Sequence, residues 1–380
     1  MNIIDKTAII ILACADFESL EISCAMHTKY NNHNTDIFIL QNVRGTYDCE
    51  RTYRVAKRYK NLYPKQIKVI DFIAPKVPYL SIKELLNNKI MSKYDYICKL
   101  DEDTFPITDN WLNNLCKCYE EYYSKYGDNL GYVTGLVNNN SWGFPRVLKL
   151  MNLEEEYFKE YSRFHYVGME NYDYGKDNNL KLINNTKISD TAGGTVWRMP
   201  YISRWIHEKT TLNHLEYIKN TVNKGYEEID NGKRYSINCI LFKKEFWNNI
   251  YDKRDKNNKD DEHDCLIYCY NNDKKIISAL NVPLVHLFFF TQREENRDLI
   301  PIIRDYYSKV INAPYPIGIC ESKELENENR LRHLENIIYQ MNNINNRTIK
   351  RNIWDFIFSI SEDGKYRVIT IFGVRINLKK

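Results

Sequence analysis

Asp101, Glu102 and Asp103 are three consecutive carboxylates at the end of a largely apolar run, Tyr94-Asp95-Tyr96-Ile97-Cys98-Lys99-Leu100. Thr104, Phe105 and Pro106 follow them. Tyr96, Ile97 and Leu100 suit a buried strand, and Pro106 argues that regular pairing has stopped by then. Asp101 and Asp103 are two apart, so in an extended chain their side chains share one face. Hard oxygen ligands at the carboxyl end of a strand suit Mg²⁺ or Mn²⁺ set against a diphosphate. A solvated acidic turn is the alternative for an isolated pair, so the surrounding elements decide.

A second acidic cluster, Asp260-Asp261-Glu262-His263-Asp264, stands before a helical run from Leu266 to Tyr270. Carboxylates at a helix N-terminus oppose the helix dipole favourably. Four of them within five residues exceed what capping needs, and their repulsion is expected to raise some of their pKa values. A general base is then available. His286 interrupts the apolar run from Val282 to Phe290. It is either a satisfied core histidine or a third metal ligand beside two carboxylates. Thr191-Ala192-Gly193-Gly194-Thr195 reads as a small-residue turn entering a strand, where glycine lets backbone approach a ligand or makes a bulge. Its spacing matches neither the dinucleotide fingerprint nor a phosphate-binding loop. Trp142-Gly143-Phe144-Pro145-Arg146 is a cluster for stacking on a sugar or for tight packing.

The elements that must position these residues alternate. Ala8 to Cys14, Asp36 to Leu40, Ile67 to Phe72, Tyr94 to Leu100 and Gly131 to Val137 read as buried strands. Phe17 to Tyr30, Thr52 to Leu62, Ser81 to Met91 and Asp109 to Tyr123 read as helices, with Ser81 and Asp109 as caps and Glu84 completing a capping box. Such alternation predicts a mainly parallel sheet covered by helices, with ligands bound beyond the carboxyl ends of the strands. Asp16, Gln41-Asn42 and Asp101–Asp103 all stand at strand ends. Ser236 to Phe242 reads as a further strand running on through Lys243 and Lys244, and Glu321 to Met341 as a charged helix. The interval from Asn138 to Asp190 has no clear period and reads as loops and short helices facing the substrate.

At 380 residues with 27% charged and 43% hydrophobic residues, the chain is long enough for a large core. A net charge of +4 is small for that length and does not point to nucleic acid. The ten cysteines are scattered, without a CxxC or zinc-finger spacing, which suits a reducing cytosol. No apolar run approaches the ~20 residues of a spanning helix. Residues 346–380 interleave Arg and Lys with Trp, Phe and Ile, a strand or hairpin tail suited either to docking on the protein or to an anionic membrane face.

Taken together, the pattern resembles a GT-A glycosyltransferase, most similar to the inverting, family-2-like bacterial enzymes that build lipooligosaccharide and capsule. The resemblance covers about Thr7 to Gln292. Leu100-Asp101-Glu102-Asp103 matches that family's D-x-D, and Asp261-Glu262-His263-Asp264 is similar to its E-D-x-D with the first two acids exchanged. By position Glu262 is the catalytic base, with Asp261 its competitor. His286 resembles the late histidine that some of these enzymes use on the metal. Two departures stand out: the first strand ends in Ala13-Cys14-Ala15-Asp16 in place of a proline-tyrosine-asparagine turn, and the 138–190 insertion is unfamiliar.

The resemblance implies an α/β fold with a mixed, mainly parallel sheet flanked by helices and a C-terminal helical and β-hairpin extension. A catalytic domain over 1–300, a helical extension over 301–345 and a basic β-rich tail over 346–380 follow. It implies Mn²⁺ or Mg²⁺ on Asp101, Asp103 and His286. A nucleotide diphosphate sugar would meet Ala13, Asp16, Asn42, Lys99, Asp101, Asp103 and Gly194, with Glu102 facing away. The acceptor would be an oligosaccharide or a lipid-linked glycan. Peripheral contact with the inner face of the cytoplasmic membrane and homo-oligomerisation are compatible with it, whereas nucleic acid is not a partner. Two other readings stay open: a retaining transferase that needs no base at Glu262, and a non-catalytic polysaccharide-assembly protein.

Overall fold

A computed structural model of the chain describes residues 2–41, 47–71, 78–140, 142–161, 200–229, 231, 236–253, 261–288, 290–312, 358–363, 366–371 and 374–379. Asn42, Gly194 and the helix expected over Glu321 to Met341 lie outside the described residues.

The first elements follow the predicted alternation: β1 (Thr7–Ala13), α1 (Phe17–Lys29), β2 (Ile37–Gln41), α2 (Tyr47–Leu62), β3 (Ile67–Asp71), α3 (Pro78–Leu86) and β4 (Tyr96–Asp101). Then come β5 (Thr104–Pro106), α4 (Trp111–Tyr126) and β6 (Leu130–Val137). The interval expected to hold loops and short helices contains α5 (Gly143–Leu150) and α6 (Glu154–Tyr161), and beyond it lie α7 (Pro200–Lys209), α8 (His214–Thr221) and β7 (Tyr226–Ile229). The series continues with β8 (Cys239–Lys243), α9 (Lys244–Lys253), α10 (Asp261–Asn271), β9 (Lys275–His286), α11 (Phe290–Arg293) and α12 (Leu299–Val310).

The large sheet runs β3-β2-β1-β4-β8-β6-β9-β5, with β7 paired on β9. β1 is parallel to β2 and β4, β2 to β3, and β6 to β9. β8 is antiparallel to both of its neighbours, β4 and β6, so β6 and β9 point the same way as β1. The result is a mixed, mainly parallel sheet, as the alternation predicts. Both faces are covered. Ile10, Phe38, Ile97 and Phe242 join one buried cluster, and Ile9, Ile39, Leu100 and Leu241 join the other. Successive side chains along a strand point to opposite faces, so burial on both sides explains why β1 and β2 read as unbroken apolar runs.

Three local expectations change. Ser81 is not a cap: α3 starts at Pro78, and proline suits a first helical position because its missing N–H has no partner there anyway. Asp109 is not a cap either, since Asn110 takes that position in the left-handed region at φ 57°. The strand expected to run beyond Lys243 stops there, and α9 begins at once. Trp142 and Phe144 are buried in the core, so this cluster packs inward, and the guanidinium of Arg146 lies 4.5 Å over the Trp142 ring. None of the described cysteines is in a disulfide.

The chain divides into two compact units, Met1–Gly318 and Ile319–Lys380. The expected tail hairpin is a three-stranded antiparallel sheet of β10 (Phe358–Asp363), β11 (Tyr366–Ile371) and β12 (Val374–Lys379). α12 belongs to the first unit.

Candidate active site

Because β1, β2, β4, β6 and β9 point the same way, their carboxyl ends share one edge: Ala13, Gln41, Asp101, Val137 and His286. After Asp101 the chain turns through Glu102 and Asp103 and re-enters the sheet as β5, on the far side of β9. Thr104 pairs with His286 there, and Leu287 N donates to the Asp103 carbonyl at 3.0 Å. Asp103 and His286, 183 positions apart in the chain, are thereby held side by side.

The turn sends the three carboxyls in different directions, so Asp101 and Asp103 do not share a strand face as the pleat alone would have it. Asp101 Oδ1 accepts from Lys99 Nζ at 2.5 Å, and its Oδ2 accepts from Asn238 Nδ2 at 3.1 Å. Lys99 also donates to the Ile237 carbonyl at 3.0 Å. Glu102 turns to the loop after β1. Its carboxyl accepts from the backbone N–H groups of Cys14 (2.6 Å), Ala15 (3.2 Å) and Asp16 (3.1 Å), tying the acidic turn to the loop after β1. Burial, followed by the Asp16 charge, pushes the Glu102 carboxyl up to about 8. Asp103 Oδ2 lies 3.5 Å from His286 Nε2 and accepts from Arg293 Nη2 at 3.2 Å. Burial raises the Asp103 carboxyl, while His286 and Arg293 pull against that rise.

His286 is oriented from behind. Its backbone N–H donates to Asn138 Oδ1 at 3.0 Å, and its ring Nδ1 lies 2.8 Å from the Asn139 carbonyl oxygen. A carbonyl can only accept, so Nδ1 carries a proton, and Nε2 is the ring atom turned toward Asp103 Oδ2. Nε2 and Asp103 Oδ2, 3.5 Å apart, are close enough to ligate one divalent cation together. A histidine ligand whose other nitrogen donates to a carbonyl is the usual arrangement at metal centres. Among the described residues no three His, Cys, Asp or Glu side chains form a cage for a metal ion. Mg²⁺-type ions do not require one, since one or two carboxylates commonly suffice when substrate phosphates and water complete the shell. The Asp103–His286 pair therefore fits such an ion. Asp101, expected as a third ligand, is engaged by Lys99 and Asn238.

The second acidic cluster reaches the same edge. Asp261 and Glu262 form the first turn of α10, both half-buried, and Asp264 is buried. Burial alone would lower the Lys99 ammonium, yet the carboxylates of Asp101, Asp261 and Glu262 hold it above its usual value. Lys99 thus joins the two clusters. Of the remaining expected contacts, Ala13 is the buried last residue of β1. Asp16 caps α1, accepting from Ser19 N at 3.1 Å and Ser19 Oγ at 2.8 Å, with Arg293 Nε 3.1 Å from its Oδ2.

Sequence reasoning missed Arg293, Asn138, Asn139 and Asn238. The asparagines carried a readable signal, since Asn138-Asn139-Asn140 follows a buried strand as directly as Asp101 ends one. Arg293 carried none beyond standing seven residues after His286.

No family model matches the chain, and no curated protein matches it. Among solved structures it is similar to the mannosyltransferase PcManGT from Pyrobaculum calidifontis, solved in complex with GDP-Man and Mn²⁺. There the identity is 7% and the TM-score 0.29, over 58% of this chain and 65% of that one. It is also similar to the mannosyltransferase Ktr4p from S. cerevisiae, at 16% identity and a TM-score of 0.24, over 50% of this chain and 52% of that one. The chain thus spans under two thirds of the length of the first and about half of the second. Likenesses this distant carry no function across.

Proposed function

We propose that the chain is a glycosyltransferase that moves a sugar from a nucleotide diphosphate donor to a hydroxyl of a glycan or lipid-linked acceptor, in surface polysaccharide synthesis. The observation that carries this reading is the Asp103–His286 pair, with imidazole Nε2 turned to the carboxylate on the strand-end edge where α/β sheets bind ligands. Asp103 and His286 would hold Mn²⁺ or Mg²⁺, which when bound supplies positive charge against the departing diphosphate.

The chain's own groups supply the rest. Asp101, at 30% side-chain exposure the most open of the three acids, meets the nucleotide, steadied by Lys99 and Asn238. Ala13 and Asp16 border the base and ribose, in a loop that Glu102 keeps in place through three N–H bonds. Glu262, or Asp261 beside it, removes the acceptor proton. The freed oxygen attacks the anomeric carbon in line as the bond to the diphosphate breaks, inverting that carbon.

Thermal denaturation with UDP, GDP or dTDP, each with and without Mn²⁺, tests the reading, because a ligand that binds only the folded protein stabilises it. One nucleotide should raise the midpoint in a Mn²⁺-dependent way, and Asp103→Ala should abolish the Mn²⁺-dependent part. No response to any of them would sink the transferase reading. Unchanged turnover by Glu262→Gln together with Asp261→Asn would overturn the base assignment alone.

A further inference from the structure

The oxygen that faces His286 is already engaged. Asp103 Oδ2 lies 3.2 Å from Arg293 Nη2 as well as 3.5 Å from His286 Nε2, and Arg293 Nε lies 3.1 Å from Asp16 Oδ2. One guanidinium thus spans two carboxylates, one of them the carboxylate assigned to the metal. A second cation cannot share Asp103 Oδ2 at bonding distance without strong repulsion.

Charge holds the guanidinium, drawn by Asp16, Asp103 and Glu102, but its hydrogen bonding is incomplete. Its buried Nε–H makes no aligned hydrogen bond among the described residues although Asp16 Oδ2 is close, which leaves the Nη2–Asp103 bond as the well-directed one. The Arg293 side chain is 35% exposed, whereas those of Asp16 and Asp103 are 6% and 5% exposed. It lies over the two carboxylates with one side open to solvent. Its backbone, by contrast, is pinned on both flanks: Gln292 Oε1 accepts from Asn139 Nδ2 at 2.9 Å, and Asn296 Nδ2 donates to the Pro200 carbonyl at 2.8 Å. Movement is therefore left to the side chain. A guanidinium released from Asp103 has five N–H donors in a fork that matches phosphate oxygens.

We propose that Arg293 is a resident cation that keeps Asp103 closed to metal until a diphosphate arrives. The diphosphate draws the guanidinium off, and the divalent ion takes its place against Asp103 and His286. This rests on the transferase reading. It predicts ordered, coupled binding: the metal alone binds weakly, and metal with nucleotide binds tightly.

Calorimetry on the full chain tests it, titrating Mn²⁺ alone and Mn²⁺ in the presence of saturating UDP, GDP or dTDP. In the wild type, nucleotide should strengthen Mn²⁺ binding by on the order of tenfold or more, within the usual range of coupling between sites. Arg293→Gln should bind Mn²⁺ alone on the order of tenfold more tightly than wild type and lose most of the coupling. Arg293→Lys, which keeps the charge, should stay close to wild type and guards against a folding defect in the first variant. If the wild type shows coupling and Arg293→Gln binds Mn²⁺ alone no better, the latch is overturned while the transferase reading stands. If neither form binds Mn²⁺ or nucleotide under any condition, both fall.

Discussion

At the scale of single residues, the acidic triplet is three residues with three partners. Asp101 answers to Lys99 and Asn238, Glu102 to the amides after β1, and Asp103 to His286 and Arg293. Residue types marked the triplet, the second cluster and His286 as chemical. They set Glu102 apart and put Asp101 and Asp103 on one face, but the pleat rule behind that face holds only while the chain stays extended, and it turns after Asp101. Asn138 is a test of how the site is supported. Its Oδ1 accepts from His286 N, and its Nδ2 donates to Thr210 Oγ1 at 2.9 Å and Thr211 Oγ1 at 3.0 Å. Partners that orient a metal ligand typically contribute about 10- to 100-fold in affinity. Asn138→Ala should accordingly weaken nucleotide-dependent Mn²⁺ binding by about 10-fold or more, measured by calorimetry, with nucleotide affinity in the absence of metal little changed. An unaltered Mn²⁺ affinity would mean that strand pairing alone positions His286.

At the scale of elements, α1 is the brace for β5. Ser23 Oγ donates to the Thr104 carbonyl at 3.1 Å, and His27 Nε2 lies 3.1 Å from the same oxygen. The His27 ring meets Trp111 of α4 edge-on at 5.5 Å. Burial lowers the His27 imidazole from 6.5 to about 4, opposed by its bond to Thr104. A lowered histidine is neutral in the fold and must charge in acid, so its contribution is complete above the unfolded value of 6.5 and is lost as pH falls toward 4. Urea denaturation at a series of pH values should show His27 adding a stability loss of roughly 1.4 kcal/mol per pH unit across that window. His27→Gln, which retains a donor for Thr104, should flatten the slope by that amount. Equal slopes in the two proteins would show that His27 titrates normally. The alternation of helices and strands was readable in advance because both faces of the sheet are buried. The antiparallel direction of β8 was not, since an apolar run of that length carries no direction.

At the scale of the molecule, every described residue assigned to the site belongs to the unit Met1–Gly318. The second unit contributes a three-stranded antiparallel sheet. Among the described residues no helix is long and apolar enough to cross a membrane. A chain ending after Gly318 should therefore keep its Mn²⁺-dependent nucleotide affinity within about threefold, or about 0.7 kcal/mol, by calorimetry. A loss beyond about tenfold would assign part of the site to residues 319–380.

The amino-acid sequence by itself determined that strands and helices alternate, that carboxylates stand at their ends, and that a histidine interrupts a late apolar run. Each of these is a local property of residue type and spacing. Only the tertiary structure decided which carboxylate meets the histidine, that Lys99 joins the two acidic clusters, that Asn139 orients the imidazole, and that Arg293 lies across Asp16 and Asp103. Those contacts span long stretches of chain. They exist because parallel strands gather their carboxyl ends at one edge and because the turn after Asp101 carries Asp103 to β9, and no local periodicity encodes either.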